Sequence, residues 1–495
     1  MVAGLLMTLY SCNKKLGILN NNNPTQESYF KNSTELEEGL NAVYSSLRST
    51  AVTGREWFFL HDMRGGEVEA GGPQLEAPRM ELLRQPNAGT NNSVVASMWK
   101  GLYRMINRAN LVISKGPVVN DDTNKRDRIV GEAKFLRAWA YFELVSQWGK
   151  VPVYTLPVFN PTDFAGLSEI SNIYDLILKD VSDAIIALPS TPTQLGRATK
   201  DAAYVLGARA MMQKGDYGNA KNYLLKVYGK YSLVPFLNNY DGDIRVGSNL
   251  ITDGHEYNAE SIFEVSFYDR GDKKFDWGGT AEGATTAATN DRGQEYGIVW
   301  GNVIPSNRTL NAFEPTDPRF KFTFWEEGDH ILTFVGTLPG VVLTAVGMNV
   351  ATSNYRGSVK KRIYRKYSFL DWINPSSQYN GMNTRLYRYT NVLLMLAECE
   401  AEAGSPSKAA DYINEVRDRP GVGMPHISTP TKDAAIKAVM LEKTLELAGE
   451  EENNIDILRW RAKGYYTSLA EDPRLGQVNN LPIPLEETSA NPALN

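Results

Sequence analysis

Apolar positions recur at helical spacing over much of the chain. In "STELEEGLNAVYSSLRS", Leu36, Leu40, Val43, Tyr44 and Leu47 fall on one stripe, and Ser33 or Thr34 stands where a helix is capped. "MWKGLYRMINRANLVI" repeats the pattern through Met98, Leu102, Met105, Ile106 and Ala109. "AKFLRAWAYFELVSQWG" and "NIYDLILKDVSDAIIALP" follow, the second stopped by Pro189.

The chain also matches itself. "YVLGARAMMQKGDYGNAKNYLLKV" from Tyr204 superposes without gaps on "LLMLAECEAEAGSPSKAADYINEV" from Leu393. Ala208 meets Ala397, Ala220 meets Ala409, Tyr223 meets Tyr412 and Val227 meets Val416. Gly215 and Gly404 coincide between the two halves. Small residues where helices approach, with a glycine at the turn, predict tetratricopeptide-type helical hairpins. Such repeats bury a face only by stacking, so further helical pairs are expected.

Helical periodicity fades between about 235 and 385. "AESIFEVSFYD" alternates as a strand does. The run from Ile331 to Tyr355 is uncharged, but Pro339-Gly340 interrupts it. A hairpin turning there fits better than a membrane span. The expected fold is mainly α: a tetratricopeptide-like scaffold with a large irregular, partly β, loop-rich insertion. Its parts are 1–12, a signal remnant; 13–33, a tether; 34–234, N-terminal helices; 235–385, the irregular ligand-binding part; and 386–495, C-terminal helices completing one domain.

Composition narrows the chemistry. Net charge is −5, without the basic excess that nucleic acid demands. Two cysteines form no disulfide framework. His61, His255, His330 and His426 never stand at metal-ligand spacing, so no metal or cofactor is expected. No phosphate loop, nucleophile elbow or dinucleotide fingerprint occurs, and no catalytic residue is assigned.

The start is informative. Val2 to Leu9 is too short to span a bilayer, which takes roughly 20 apolar residues, and has the length of a secretory signal core. Leu9-Tyr10-Ser11-Cys12 resembles a bacterial lipobox, which assigns lipidation to Cys12. Tyr10 is bulkier than usual there and no basic residue precedes the apolar run, so the native start is expected upstream.

The ordered series "MWKGLYRMINRANLVI", "EAKFLRAWAYFELVSQWGKVPV", "YRYTNVLLMLAECEAEAG", "AADYINEVRDRPGV", "LEKTLELAGEEENNIDILRW" and "LPIPLEETSANPALN" resembles the SusD/RagB family of Bacteroidetes outer-membrane lipoproteins. The resemblance runs from Cys12 to Asn495 and is loosest in the middle. It implies a lipid-anchored nutrient-binding protein of the outer membrane, facing the cell exterior. Such a protein captures oligosaccharides and passes them to a SusC-like TonB-dependent transporter. It implies no enzyme activity. Some members bind peptides, and a surface glycosidase or a helical adaptor is the reading from another class. Lys14 and Lys15 stand where some members carry an acidic export signal. Ligand residues vary between members, so none is transferred by motif.

Candidate ligand residues come from the sequence's own chemistry. Sugars present apolar faces ringed by hydroxyls, and proteins meet them with aromatic planes and polar rims. Two glycine-rich segments offer that mixture in an expected loop context. "GREWFFLHDMRGGEVEAGGPQLEAPR" holds Trp57, Asp62, Arg64, Glu67 and Arg79. "KFDWGGTAEGATTAATNDRGQEYGIVWGN" holds Trp277, Asn290, Arg292, Tyr296 and Trp300. Trp57, Arg64, Arg79, Trp277, Tyr296 and Trp300 are the chosen set; Trp325 and Trp372 rank below them. Trp99, Trp139 and Trp460 lie on helical stripes and read as core, as does Cys399. Glu446 and Glu450 read as partners of Arg459 and Arg461 in a structural ion network.

The assignment of Cys12 has a direct test. With the full native signal supplied, Cys12→Ala is expected to move the protein out of the membrane fraction; unchanged fractionation would refute lipidation there.

Overall fold

The first amides of an α-helix have no partner within it, and short polar side chains supply one. In the computed structural model of the chain, Asn32 does this for α1 (Ser33–Leu47), accepting from the Thr34 and Glu35 amides at 3.0 Å each. The cap expected at Ser33 or Thr34 is thus one residue earlier. Ser33 is already helical and binds Asp121 through its amide and hydroxyl, both at 2.8 Å. The structure describes residues 29–85, 88–160, 162–240, 244–246, 249–251, 255–268, 290, 292–297, 300–331, 341–345, 347–367, 381–472, 474–477 and 479–494.

Helices α2 (Arg55–Gly65), α3 (Ala77–Arg84), α4 (Ser93–Lys115), α5 (Thr123–Trp148), α6 (Ile170–Ala187), α7 (Lys200–Gln213) and α8 (Tyr217–Leu224) follow. From α4 to α8 each helix packs on its predecessor, and α1 lies against α4 and α5. The segment holding Trp57 was expected to be loop; α2 corrects this. It shows no stripe because it is buried on every side: Trp57, Phe58, Phe59, Leu60 and Met63 are core, and Arg55, His61, Asp62 and Arg64 are buried with them.

The middle of the chain forms short antiparallel pairs. Strand β1 (Val68–Ala70), from the N-terminal part, precedes β2 (Ile244–Val246), β3 (Asn249–Ile251) and β4 (Ser261–Val265). Then come α9 (Arg292–Tyr296), β5 (Val303–Pro305), α10 (Asn307–Ala312), α11 (Arg319–Thr323), β6 (Phe324–Glu326), β7 (His330–Ile331) and β8 (Val341–Val342). β9 (Thr352–Tyr355), β10 (Ser358–Tyr364) and β11 (Thr384–Arg388) complete the set. The pairs are β1–β5, β2–β3, β4–β11 and β7–β8, with a three-stranded sheet in the order β6–β10–β9. β7 and β8 are the arms of the expected hairpin, with Ile331 opposite Val341; its turn at Pro339-Gly340 lies outside the described residues. No helix among the described residues is long and apolar enough to cross a membrane.

α12 (Tyr389–Ala403), α13 (Pro406–Arg417), α14 (Lys432–Leu447), α15 (Glu452–Ala462) and α16 (Leu485–Ala490) end the chain. The internal repeat corresponds to two helical hairpins, α7–α8 and α12–α13, and α12 packs on α8. Ala208, Ala397, Ala220, Ala409, Val227 and Val416 are all fully buried. The two turn glycines differ in their reason. Gly215 has φ +79°, which L side chains avoid. At Gly404 a Cβ would lie 1.9 Å from the Glu400 carboxylate.

Trp99, Trp139, Trp460 and Cys399 are core, and burial pushes the Cys399 thiol well up. Trp325 is buried in a small second core with Ile304, Leu343, Met348, Val350 and Ile363. Trp372 lies outside the described residues.

A buried ion cluster joins the middle of the chain to the helices. Arg388, where β11 becomes α12, contacts Glu260 at 2.7 Å, Glu446 at 3.1 Å and Glu450 at 3.0 Å. Arg419 reaches Glu260 and Glu446, each at 2.6 Å. Lys366 holds Glu450 at 2.8 Å, and Arg319 lies 3.4 Å from Glu446. Burial would push Glu260 up, but Arg419 and Arg388 outweigh it and hold its carboxyl well below the usual range. The expected network exists with other partners. Arg459 pairs with Glu398 and Asp456, and Arg461 with Asp472. Losing one member leaves charges buried without compensation, at a cost of ~3–5 kcal/mol. Arg388→Ala is therefore expected to lower the unfolding free energy by that order, read as a lower urea midpoint; a midpoint equal to wild type would refute the cluster's role.

Candidate functional site

The two glycine-rich segments meet in space. β1 pairs with β5, with Val68 opposite Pro305 and Ala70 opposite Val303. Beyond the ladder, the Gly71 amide donates to the Asn302 carbonyl at 2.9 Å. A Cβ on Gly71 would lie 1.7 Å from the Gly301 carbonyl oxygen, so only glycine permits this approach. Gln74 Nε2 then donates to the carbonyls of Trp300 and Gly301, at 3.0 and 3.1 Å.

Beneath this contact the polar residues are spent on one another. The Tyr296 hydroxyl donates to Asp62. Arg292 lies between Asp62, at 3.3 Å, and Glu451, and its guanidinium sits 3.7 Å from the Tyr367 ring centroid. Arg55 bridges Glu295 at 2.5 Å and Glu76 at 2.7 Å. Arg79 binds Glu56. Asn290 donates to the Met382 carbonyl and accepts from the Arg292 amide, both at 2.9 Å.

The exposure expected of four candidates is corrected. Trp57 is buried, its indole N–H donating to Glu143 at 3.0 Å. Arg64 is fully buried and donates to Gln147 and to the Asn479 carbonyl. Arg79 and Tyr296 are buried as well. Aromatic and charged residues among glycines describe a buried polar floor as well as they describe a sugar site. What separates the two is partners such as Glu143 and Glu451, far away in the sequence. Trp300 stands apart, 36% exposed at the rim. Trp277 and Cys12 lie outside the described residues. Gln74, Glu76, Glu295 and Glu451, which shape the site, were missed; no spacing signal marks them.

Two of the histidines meet carboxylates. His61 meets Glu143 at 2.9 Å, and His426 meets Asp418 at 2.8 Å. Among the described residues no group of three or more His, Cys, Asp or Glu could hold a metal ion.

Comparison with known proteins places this arrangement in context. Residues 259–491 match the SusD family, and residues 80–212 match a family described as "Starch-binding associating with outer membrane". The chain is 25% identical to "SusD-like protein P25" of Formosa agariphila, over 94% of this chain and 92% of that protein. It is 24% identical to "SusD-like protein P2" of the same organism, over 92% and 89%. A SusD-like protein from Bacteroides fragilis has the same fold, with TM-score 0.74 at 19% identity over 96% of this chain and 99% of that one. Surface glycan-binding protein A from Bacteroides thetaiotaomicron, solved in complex with laminarihexaose, follows with TM-score 0.70 at 21% identity over 92% and 97%.

The floor of the site carries a pH signature. Asp62 and Glu451 share Arg292, and one guanidinium cannot neutralise two buried carboxylates. Burial pushes both carboxyls up, Glu451 to about 8 from an ordinary value of 4.5. Between those values the folded state holds a proton that the unfolded state has released. This contribution is therefore present in full below pH 4.5 and is lost as pH rises through about 8. Glu451→Gln is expected to flatten the pH dependence of thermal stability across that window; an unchanged slope would refute it.

Proposed function

The chain belongs to the SusD/RagB family, and on that premise we propose that it is a cell-surface glycan-binding protein. It is held in the outer membrane by lipid on Cys12 and passes oligosaccharides to a SusC-like TonB-dependent transporter. Its work is binding and delivery, not bond cleavage. The observation that carries this reading is the pair of SusD-family matches, 80–212 and 259–491. The laminarihexaose complex of a protein with the same fold supports a glycan as ligand.

The ligand face centres on Trp300. Its half-exposed ring offers a flat apolar plane to a sugar face, and Gln74 holds the backbone behind it. Arg55, Glu76 and Glu295 brace the same corner, so little freedom remains to be lost on binding. Trp277 supplies a second plane from the same segment. Acyl chains on Cys12 contribute ~0.8 kcal/mol of membrane affinity per buried CH₂, and the polar stretch from Asn13 tethers the domain above the bilayer.

A glycan array probed with residues 13–495 tests the ligand class, with laminarihexaose as the first titrant. For a glycan that binds, Trp300→Ala is expected to cost ~2 kcal/mol, about 25-fold in affinity, with an unchanged melting temperature. Trp57→Ala, a core truncation, is expected to cost ~3–5 kcal/mol of stability instead. Wild-type affinity in Trp300→Ala, or no glycan bound at all, would refute the assignment.

A further inference from the structure

An open groove of about 490 Å³ lies beside the β1–β5 pair. Val68, Met80, Leu83 and Leu469 give it apolar walls, and Arg84, Arg308 and Arg474 give it cationic ones. Groups of this kind in globular proteins are normally answered by carboxylates. Here they are not. Arg474 is 6% exposed, and its Nη2 donates to the Leu83 carbonyl at 3.2 Å. Its Nη1 is buried with no hydrogen-bond partner among the described residues. Arg308 donates to the carbonyls of Gly65 at 2.9 Å and Glu471 at 3.2 Å, and its buried Nε has no hydrogen-bond partner among the described residues. Arg84 is exposed at the rim.

The ground behind the groove is positive too. Asp472 is occupied by Arg461, which holds it through Nε at 2.5 Å and Nη2 at 3.0 Å. Arg64 lies behind, donating to Gln147 and to the Asn479 carbonyl among its contacts. Burial and the neighbouring guanidiniums pull Arg64 down to about 9 and Arg474 down to about 10. Glu69 faces the groove from its rim, its carboxylate accepting from the Asn307 amide at 3.4 Å. It offsets one charge of the three arginines that line the wall.

We propose that this groove is an anion-binding subsite that takes the carboxylate or sulfate group of an acidic oligosaccharide. Buried, under-bonded guanidinium N–H groups are pre-oriented donors for such an oxyanion, and the apolar walls suit the face of the same sugar ring. The subsite lies close to Trp300. Ala70 lines the groove and pairs with Val303, and Trp300 is three residues from Val303, a reach of at most ~11 Å. A single short oligosaccharide can therefore engage both. The inference rests on the glycan-binding reading and narrows it to charged glycans.

Calorimetric titration of the intact chain with three probes tests it: trigalacturonic acid, a sulfated carrageenan tetrasaccharide and the neutral laminarihexaose. At least one acidic probe is expected to bind, with an affinity that falls as salt rises, and to bind more tightly than the neutral one. The acidic probe that binds tells carboxylate from sulfate. Arg84→Gln and Arg308→Gln are each expected to weaken that probe about tenfold or more and to leave laminarihexaose unchanged. Arg84 is exposed, so its variant keeps the test informative if Arg308→Gln unfolds. Equal binding of neutral and acidic probes, or wild-type affinity in Arg84→Gln, overturns the subsite and leaves glycan binding standing. Binding of no saccharide overturns both.

Discussion

Glu446 lies fully buried near the end of α14, and the cations that neutralise it come from elsewhere in the chain. Arg388 comes from the β11–α12 junction, Arg419 from beyond α13, and Arg319 from the middle of the chain. Glu260, just before β4, and Glu450 complete the cluster. Charges buried this deeply tolerate one arrangement only, because any shift of register leaves one of them uncompensated. The apolar core says that the middle of the chain packs on the helices. The cluster says where.

The next residues carry the same constraint to the floor beneath Trp300. Gly449 turns with φ +73°, and a Cβ there would meet the Tyr364 ring at 2.8 Å. Its amide donates to Glu67 at 3.3 Å, and its carbonyl accepts from Arg292 and the Tyr367 hydroxyl. Glu450 then enters the ion cluster while Glu451 takes Arg292 under the site. Three consecutive residues thus connect the helical scaffold to the floor that supports Trp300. The floor is polar inside, and Trp300 lies at its rim.

Much of the scaffold was legible in the sequence because helices write their burial at a period of 3.6. The stripe from Leu36 to Leu47 and the match of Tyr204–Val227 to Leu393–Val416 identified helices and hairpins correctly. Trp99, Trp139 and Trp460 were placed in the core for the same reason. The reading failed where that period is absent. Helix α2 is buried on all faces, so its mixture of aromatic and charged residues resembled a sugar-binding loop. Arg459 and Arg461 looked like partners of Glu446 because they are near it in sequence, but they find Glu398 and Asp472.

By itself, then, the sequence determined the class of fold, the two hairpins and the helical core. Those are properties of local periodicity, turn chemistry and composition, each read within a few dozen residues. Only the tertiary structure decided which aromatic faces outward, which arginines are neutralised and which are left under-bonded. Trp57 and Trp300 look alike in sequence; Glu143, 86 residues from Trp57, takes one indole into the core, while Gln74 holds the backbone of the other at the surface. Arg388 and Arg474 are both buried, yet one meets three glutamates and the other keeps an idle N–H beside a groove. Burial and charge compensation are sums over neighbours in space, and the order of residues along the chain does not contain those sums until the chain has folded.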